Sequence, residues 1–483
     1  MTTFKNPYLQ GLLAPVTEEV TAHDLPVTGR IPSGLRGRYL RIGPNPLGPV
    51  GPDGPVGPDG PVGPDGPDGP DGPDEDASYH WFTGDGMVHG IRLRDGRAEW
   101  YRNRWVRSRD VVERLGEPWA GGPLVEGFDQ SPNTHVIEHA GETYALIEGG
   151  SRPYRLDHEL RTLGPCDFGG TLKGGYTAHT KKDPDTGELH AIGYFFGWEH
   201  LEYTVLSTDG RIVRSVEIPV ADSPMVHDFA LTQKYVVIYD LPITFSMRLA
   251  EEGLSLPYAW NPKHPARVGL MSRDGGAEDI RWIDIPPCWV FHTLNAYDSG
   301  SGSGSGSYDD GDRVVVDLVS FPSFMHGGRL EGNPPPTLDR WTIDPVRGSV
   351  RQETVDDRAQ EFPRVDERLL TRPHRYGYTV TAEAVVQNQA GEALMKHDYV
   401  DGSSETRLFP AGSGVGEAVF VPSGSFSAED DGYLMALTFD PERQGTDLVI
   451  IASQDFAGEP VATVHLPVRV PLGFHGTWAP DAA

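Results

Sequence analysis

Hydrophobic residues fall along this chain in short runs, alternating or continuous, rich in Val, Ile, Tyr and Phe. The stretches Lys234–Phe245 (KYVVIYDLPITF), Arg313–Phe321 (RVVVDLVSF), Tyr433–Asp440 (YLMALTFD) and Asp447–Ala452 (DLVIIA) show the pattern most clearly. Period-two alternation with β-branched content predicts strands, and long stretches with the 3.6-residue period of an amphipathic helix are scarce. The chain reads as mostly β.

Dipeptides suited to tight turns punctuate these runs: Asp95-Gly96, Ala140-Gly141, Asp209-Gly210, Asp274-Gly275, Arg347-Gly348 and Asp401-Gly402. Their first residues lie 45, 69, 65, 73 and 54 positions apart, one hairpin marker per unit slightly longer than a common propeller blade. Dividing the chain by such a unit gives about seven blades, within the range of roughly 4 to 8 that propellers use. The predicted fold class is therefore all-β, a seven-bladed β-propeller forming one domain over residues 1–483. A pair of β-sandwiches is the competing architecture, since it produces similar strand and turn signals.

Two low-complexity segments interrupt the pattern. Residues 48–76 are dominated by unbroken GPV and GPD triplets, and residues 299–312 read SGSGSGSGSYDDGD. The triplets resemble collagen, but the run is short and acidic, and a triple helix needs three chains. Both segments read as disordered or linker-like insertions that folding does not require. The aspartates lack the ligand spacing of an EF-hand, so calcium is not expected.

Charge and cysteine content narrow the function. The 483 residues carry 41 Lys plus Arg against 70 Asp plus Glu, a net charge of -29, which repels phosphate backbones and disfavours nucleic acid. Cys166 and Cys288 are the only cysteines, too few and too far apart for a disulfide framework or a CxxC metal clip, and suited to a reducing compartment. The N-terminal MTTFKNPYLQGLLAPV lacks the apolar run of a signal peptide. No stretch approaches the ~20 apolar residues of a spanning helix. A cytoplasmic protein is expected.

Four histidines share one local setting: His179 in GYTAHT, His227 in PMVHDF, His292 in WVFHTL and His475 in LGFHGTW. Each follows an apolar or small residue and precedes a short one, as at the inner end of a buried strand. Any one of them alone is more simply a structural histidine. Together, with no thiolate nearby, neutral imidazoles point to iron, copper or nickel rather than structural zinc. Their wide separation in sequence favours a propeller over paired sandwiches, because inner strands of separate blades meet at a propeller's axis. No nucleophile elbow or Walker loop is found. The glycines of Gly412–Glu417 (GSGVGE) lead into a strand-like run rather than a helix.

The strings YLRIGPNP (Tyr39–Pro46), YHWFTGDGMVHGIRL (Tyr79–Leu93), NRWVRS (Asn103–Ser108), SPMVHDFALTQKYVVIYDLP, EFPRVDER (Glu361–Arg368) and the terminal GFHGTW resemble the carotenoid cleavage oxygenase family, essentially over the whole chain. The resemblance implies a seven-bladed propeller with a loop and helix cap and a non-haem Fe(II) held on its axis by His179, His227, His292 and His475. It also implies three glutamates behind the ligands: Glu148 for His227, Glu361 for His292 and Glu417 for His475, with His179 left unsupported. Read without the resemblance, each glutamate is an ordinary solvated strand-end charge. A ligating imidazole is oriented by donating its other N–H to a carboxylate, which gives such glutamates a physical purpose.

Six-coordinate iron with four protein ligands keeps two positions for O2 and water. The implied activity is a dioxygenase that uses O2 to split a C=C bond of a carotenoid or apocarotenoid into two carbonyl products. Phe291 and Phe362 match positions that line an apolar tunnel, where aromatic walls suit a polyene, although core packing explains them equally well. Family members that cleave hydroxylated stilbenes carry a lysine where this chain has Ile147, and a tyrosine that the segment Arg107–Glu117 lacks. A carotenoid or apocarotenoid is thus expected over a stilbene or phenylpropanoid alkene. The family's isomerohydrolase chemistry and a catalytically silent propeller that only binds a partner are the other readings. Leu241–Pro265 is expected to cap the tunnel mouth, where an apolar rim would allow peripheral membrane contact.

Overall fold

Seven antiparallel sheets stand as blades around one axis in the computed structural model, because strands this short and this apolar on their inner faces bury themselves best by radial packing. The structure describes residues 6–48, 79–300, 313–329, 332–382 and 391–481, and the backbone alone of Val50–Gly51 and Gly54–Pro55. The two low-complexity segments, 48–76 and 299–312, fall outside the described residues except for their first residues and those two short strands.

The first blade combines Thr21–His23, Gly37–Pro44, Gly86–Arg94 and Arg97–Trp105 with the C-terminal strand Gly476–Pro480. Blades two to six follow in chain order, each of four strands. They begin at the inner strands His135–His139, Thr180–Lys182, Ala230–Leu231, Trp289–Ser299 and Gln360–Arg364. The seventh blade runs from Gly414–Val415 to Ala462–His465 and gains Val27–Gly29. Both ends of the chain therefore close the ring. Gly476–Pro480 pairs with Gly37–Arg41, and Val27–Gly29 pairs with Ala462–Val464. Closure in adjacent blades removes edges that would otherwise stay open for pairing.

Each turn marker falls between consecutive strands of a separate blade, from the first to the sixth. Asp95 and Gly96 have φ of 50° and 75°, and Ala140 and Gly141 have 53° and 76°. These are left-handed pairs of the type that matches strand twist in a two-residue hairpin. The seventh blade turns instead through the four residues Pro441–Gln444, with Gln444 at φ 53° and Gly445 already paired with Asp440. A two-sandwich arrangement is ruled out by this one-blade-per-unit order.

The run Lys234–Phe245 is two elements, not one. Tyr235–Asp240 belongs to the fourth blade, and after Leu241-Pro242 the strand Ile243–Phe245 pairs with Tyr258–Trp260 in a separate two-stranded sheet. Proline has no N–H with which to continue the ladder. Between these two strands Ser246 caps the short helix Met247–Glu251 by accepting from the Leu249 N–H. This excursion forms part of a cap above the blades. Elsewhere the core lies between blades, where Trp289, Trp341, Tyr39 and Tyr101 are fully buried, each such side chain contributing roughly 1.5–3 kcal/mol.

Candidate metal centre

Inner strands of four blades deliver the four histidines. His179 immediately precedes Thr180–Lys182, His475 immediately precedes Gly476–Pro480, and His227 lies just ahead of Ala230–Leu231. Only His292 sits inside its strand, Trp289–Ser299, and there the pairing with Arg313–Phe321 slips between Val290 and Thr293. An extra residue at such a slip re-aims the side chain. Glu361 lies at a similar slip, followed by Phe362 at φ 52°. Irregular backbone at the inner strand ends, rather than regular strand, therefore points these groups at the axis.

The four histidines are buried, and one ligand nitrogen from each lies within 4.8 Å of all the others. His292 Nε2 is 3.3 Å from His227 Nε2 and 3.1 Å from His475 Nε2. Behind the rings, Nδ1 of His227 donates to Glu148 at 2.8 Å, Nδ1 of His292 to Glu361 at 2.5 Å and Nδ1 of His475 to Glu417 at 2.9 Å. Each carboxylate fixes the tautomer, so the Nε2 lone pairs turn inward. Lone pairs facing one another at such distances repel unless a cation lies among them. Among the described residues no carboxylate stands behind His179, and its Nε2 is buried without a hydrogen-bond partner there. The donor set fits a metal ion that favours imidazole.

Electrostatics favour the neutral, ligating form at two of the four histidines. Burial, then the neighbouring imidazoles, pushes His179 well below the usual histidine range, and burial does the same to His475. Contact with Glu361 raises His292 even though burial opposes its charge. Burial also works against the charge of Glu417. Arg364, His475 and the Gly476 N–H overcome that penalty and hold the carboxyl well below its usual range.

The glutamates are themselves braced, each differently. Tyr194 donates to Glu148 at 3.0 Å, the Phe362 N–H donates to Glu361 at 2.5 Å, and Arg364 donates to Glu417 at 3.2 Å. Tyr194 carried no signal in the sequence. Arg364 stood in plain view in EFPRVDER, but nothing local assigns it to a glutamate in the next blade.

His227, His292 and His475 form part of the wall of a cavity of about 580 Å³. Phe291, Phe362 and Ile147 also line it, as do Glu148 and Glu361. The Phe291 ring packs 4.9 Å from His227 and 4.9 Å from Phe324, and Phe362 stacks 5.5 Å from His292. Sequence reading missed Trp81, Phe82 and Phe474, which also line the cavity. The adjacency of Phe474 to His475 was the available clue. The lining contains no Lys or Arg among the described residues. The cap contributes Phe245, Met247 and Leu254–Tyr258, so the Leu241–Pro265 segment does cover this cavity. Phe196 and Met247 are 42 % and 63 % exposed. No helix among the described residues is long and apolar enough to cross a membrane.

A β-propeller whose axis gathers four buried histidines able to hold a metal ion, beside an apolar aromatic cavity, defines a narrow class of protein. The family model described as retinal pigment epithelial membrane protein matches residues 13–480. The chain belongs to this family, that of the carotenoid cleavage oxygenases. It is 47% identical to a carotenoid cleavage oxygenase of Mycobacterium tuberculosis, over 99% of this chain and 98% of that one. Among solved structures it resembles a lignostilbene dioxygenase of Pseudomonas brassicacearum, with a TM-score of 0.82 and 27% identity over the whole of both chains. It also resembles a cobalt-substituted apocarotenoid oxygenase of Synechocystis, with a TM-score of 0.79 and 27% identity over 97% of each chain.

Proposed function

We propose that the protein is an Fe(II)-dependent dioxygenase that cleaves a C=C bond of a carotenoid or apocarotenoid into two carbonyl products. One observation carries this reading: four buried imidazoles meet at one point, and three of them line an apolar cavity large enough for an extended alkene. His179, His227, His292 and His475 would hold the metal, and Glu148, Glu361 and Glu417 would orient three of them. Bound iron would supply the activation of O2 that a closed-shell alkene needs. The remaining work belongs to the chain. Phe291, Phe362 and Ile147 present walls that hold a polyene beside the centre and keep water from it, so positioning and exclusion of solvent replace acid–base groups.

A second reading, cleavage of a stilbene or phenylpropanoid alkene by the same centre, is favoured by the likeness to the lignostilbene dioxygenase. Ile147, and a lining without Lys or Arg, offer no cation to a phenolate and support the polyene. Incubation of the iron-loaded protein with a β-apocarotenal and with a hydroxystilbene, followed by mass spectrometry, tests the choice. Shorter aldehydes from the first substrate are expected. Turnover of the stilbene alone would reverse the assignment.

The exposed Phe196 and Met247 beside the cavity would let the protein draw a water-insoluble substrate from a membrane surface. Flotation with liposomes should recover the protein in the lipid fraction, and recovery only in the aqueous fraction would refute it.

A further inference from the structure

A second, smaller chamber of about 80 Å³ adjoins the histidines. It shares His292, Phe362 and His475 with the large cavity, but about half of its lining is polar, and Lys181, Asp228 and Thr293 are in its wall. Each of these three is a near neighbour of a different histidine in the chain. Lys181 is two residues past His179, Asp228 follows His227, and Thr293 follows His292.

Asp228 joins them. The Lys181 ammonium lies 2.8 Å from one carboxylate oxygen of Asp228 and 2.9 Å from the other. The first oxygen also accepts from the Phe229 N–H at 2.8 Å, and the second from the Thr293 N–H at 2.8 Å. The Asp228 side chain is 1% exposed and that of Lys181 15%. A buried carboxylate is costly unless every lone pair is used, and here both oxygens are engaged by a cation and by backbone donors.

Some buried ion pairs in this protein stay within one blade, and others, such as Arg273 with Asp183 and Arg364 with Glu417, cross from one blade to the next. Asp240 with Arg267 and Asp317 with Arg340 each join two neighbouring strands within a single blade. The Lys181–Asp228–Thr293 link instead crosses three consecutive blades, and each of its members stands one or two residues from a histidine of the centre.

We propose that Lys181 and Asp228 are positioning residues that set the relative placement of His179, His227 and His292. The proposal rests on the metal-centre reading above and adds to it a charged clamp that touches neither metal nor substrate. Asn at position 228 cannot replace the carboxylate. Either orientation of its amide turns an NH2 toward the Phe229 N–H or the Thr293 N–H, so one donor faces another.

Cobalt(II) is the probe, because its affinity and its visible absorption bands report ligand geometry without turnover. Metal-free wild type, Asp228→Asn, Lys181→Arg and, as a control buried ion pair away from the centre, Asp317→Asn are titrated with cobalt against a chelator, and their unfolding temperatures are recorded. Asp228→Asn is expected to weaken cobalt binding by about tenfold or more and to alter the absorption bands. Lys181→Arg, which keeps a cation there, stays nearer wild type. Asp317→Asn loses thermal stability but keeps wild-type cobalt affinity and spectrum. If Asp228→Asn does not fold, Lys181→Met is read in the same way. Wild-type affinity and bands in the clamp variant, whatever its unfolding temperature, would overturn the clamp and leave the metal centre standing. Failure of the wild type to bind cobalt would remove both.

Discussion

A neutral imidazole ligates well only if its second nitrogen is held, and this chain holds three of its four candidates with carboxylates of unlike surroundings. Glu417 is 2% exposed and paired with Arg364, whereas Glu148 is 17% exposed and takes a tyrosine hydroxyl. Replacing either by Gln should weaken metal binding by roughly 10–100-fold, measured by chelator competition. The two should part in stability. Glu417→Gln takes from the Arg364 guanidinium one of its two carboxylate partners, the other being Glu367 at 2.7 Å, and should cost the metal-free protein about 1–3 kcal/mol in urea unfolding, while Glu148→Gln should cost clearly less. Equal losses would contradict the account of the braces. On the cavity wall, Phe291 packs on His227, Trp289, Phe321 and Phe324. Phe291→Ala should destabilise by about 3–5 kcal/mol and raise KM for a polyene, with little change in metal affinity. At this scale the histidines were legible because their strings repeat one local context. Asp228 and Arg364 were not, because their partners arrive from other blades and leave no mark on the flanking sequence.

Elements are set by turns and by close approaches that the hydrophobic pattern does not report. Asp95-Gly96 was readable as a hairpin because its residue types suit the geometry, while the seventh-blade turn, Pro441–Gln444, is a four-residue loop without such a dipeptide. The apolar run from Lys234 to Phe245 hid a break, since Pro242 changes hydrogen bonding without changing hydrophobicity. Gly86, at the start of a first-blade strand, illustrates a constraint with no local signal. A Cβ there would lie 1.5 Å from the Pro132 carbonyl oxygen, so Gly86→Ala should cost at least about 3 kcal/mol or prevent folding, as denaturant unfolding will show. In the sixth blade, the hairpin between Ala393–Asp398 and Ser403–Leu408 depends on Asp398. The Arg375 guanidinium, helped by the Asp401 and Val400 N–H groups, lowers its carboxyl to about 2. A depressed carboxyl stabilises above its unfolded value and loses that contribution as pH falls from about 4 toward 2. Asp398→Asn keeps an acceptor for the turn, so it should cost about 1 kcal/mol at neutral pH, given solvent screening, and nothing near pH 2. A pH-independent difference would contradict the assignment to charge.

Across the whole molecule, the same closure that makes the ring also completes the centre, because His475 directly precedes the strand Gly476–Pro480 that pairs with Gly37–Arg41. Removing residues 476–483 retains every candidate ligand but opens the first blade. Such a chain should lose its sharp thermal transition and its metal together. The seven-blade order was legible from turn spacing, since each unit supplies one hairpin. The meeting point of the histidines was only inferable, because radial convergence is a property of the closed ring. The central claim is that four imidazoles, and no thiolate, hold one ferrous ion. X-ray absorption at the iron edge of the anaerobically loaded protein tests it most directly. We predict one iron per chain with nitrogen neighbours showing imidazole multiple scattering, reduced by His179→Ala. Sulfur in the shell, or no iron retained at equimolar protein, would contradict the account.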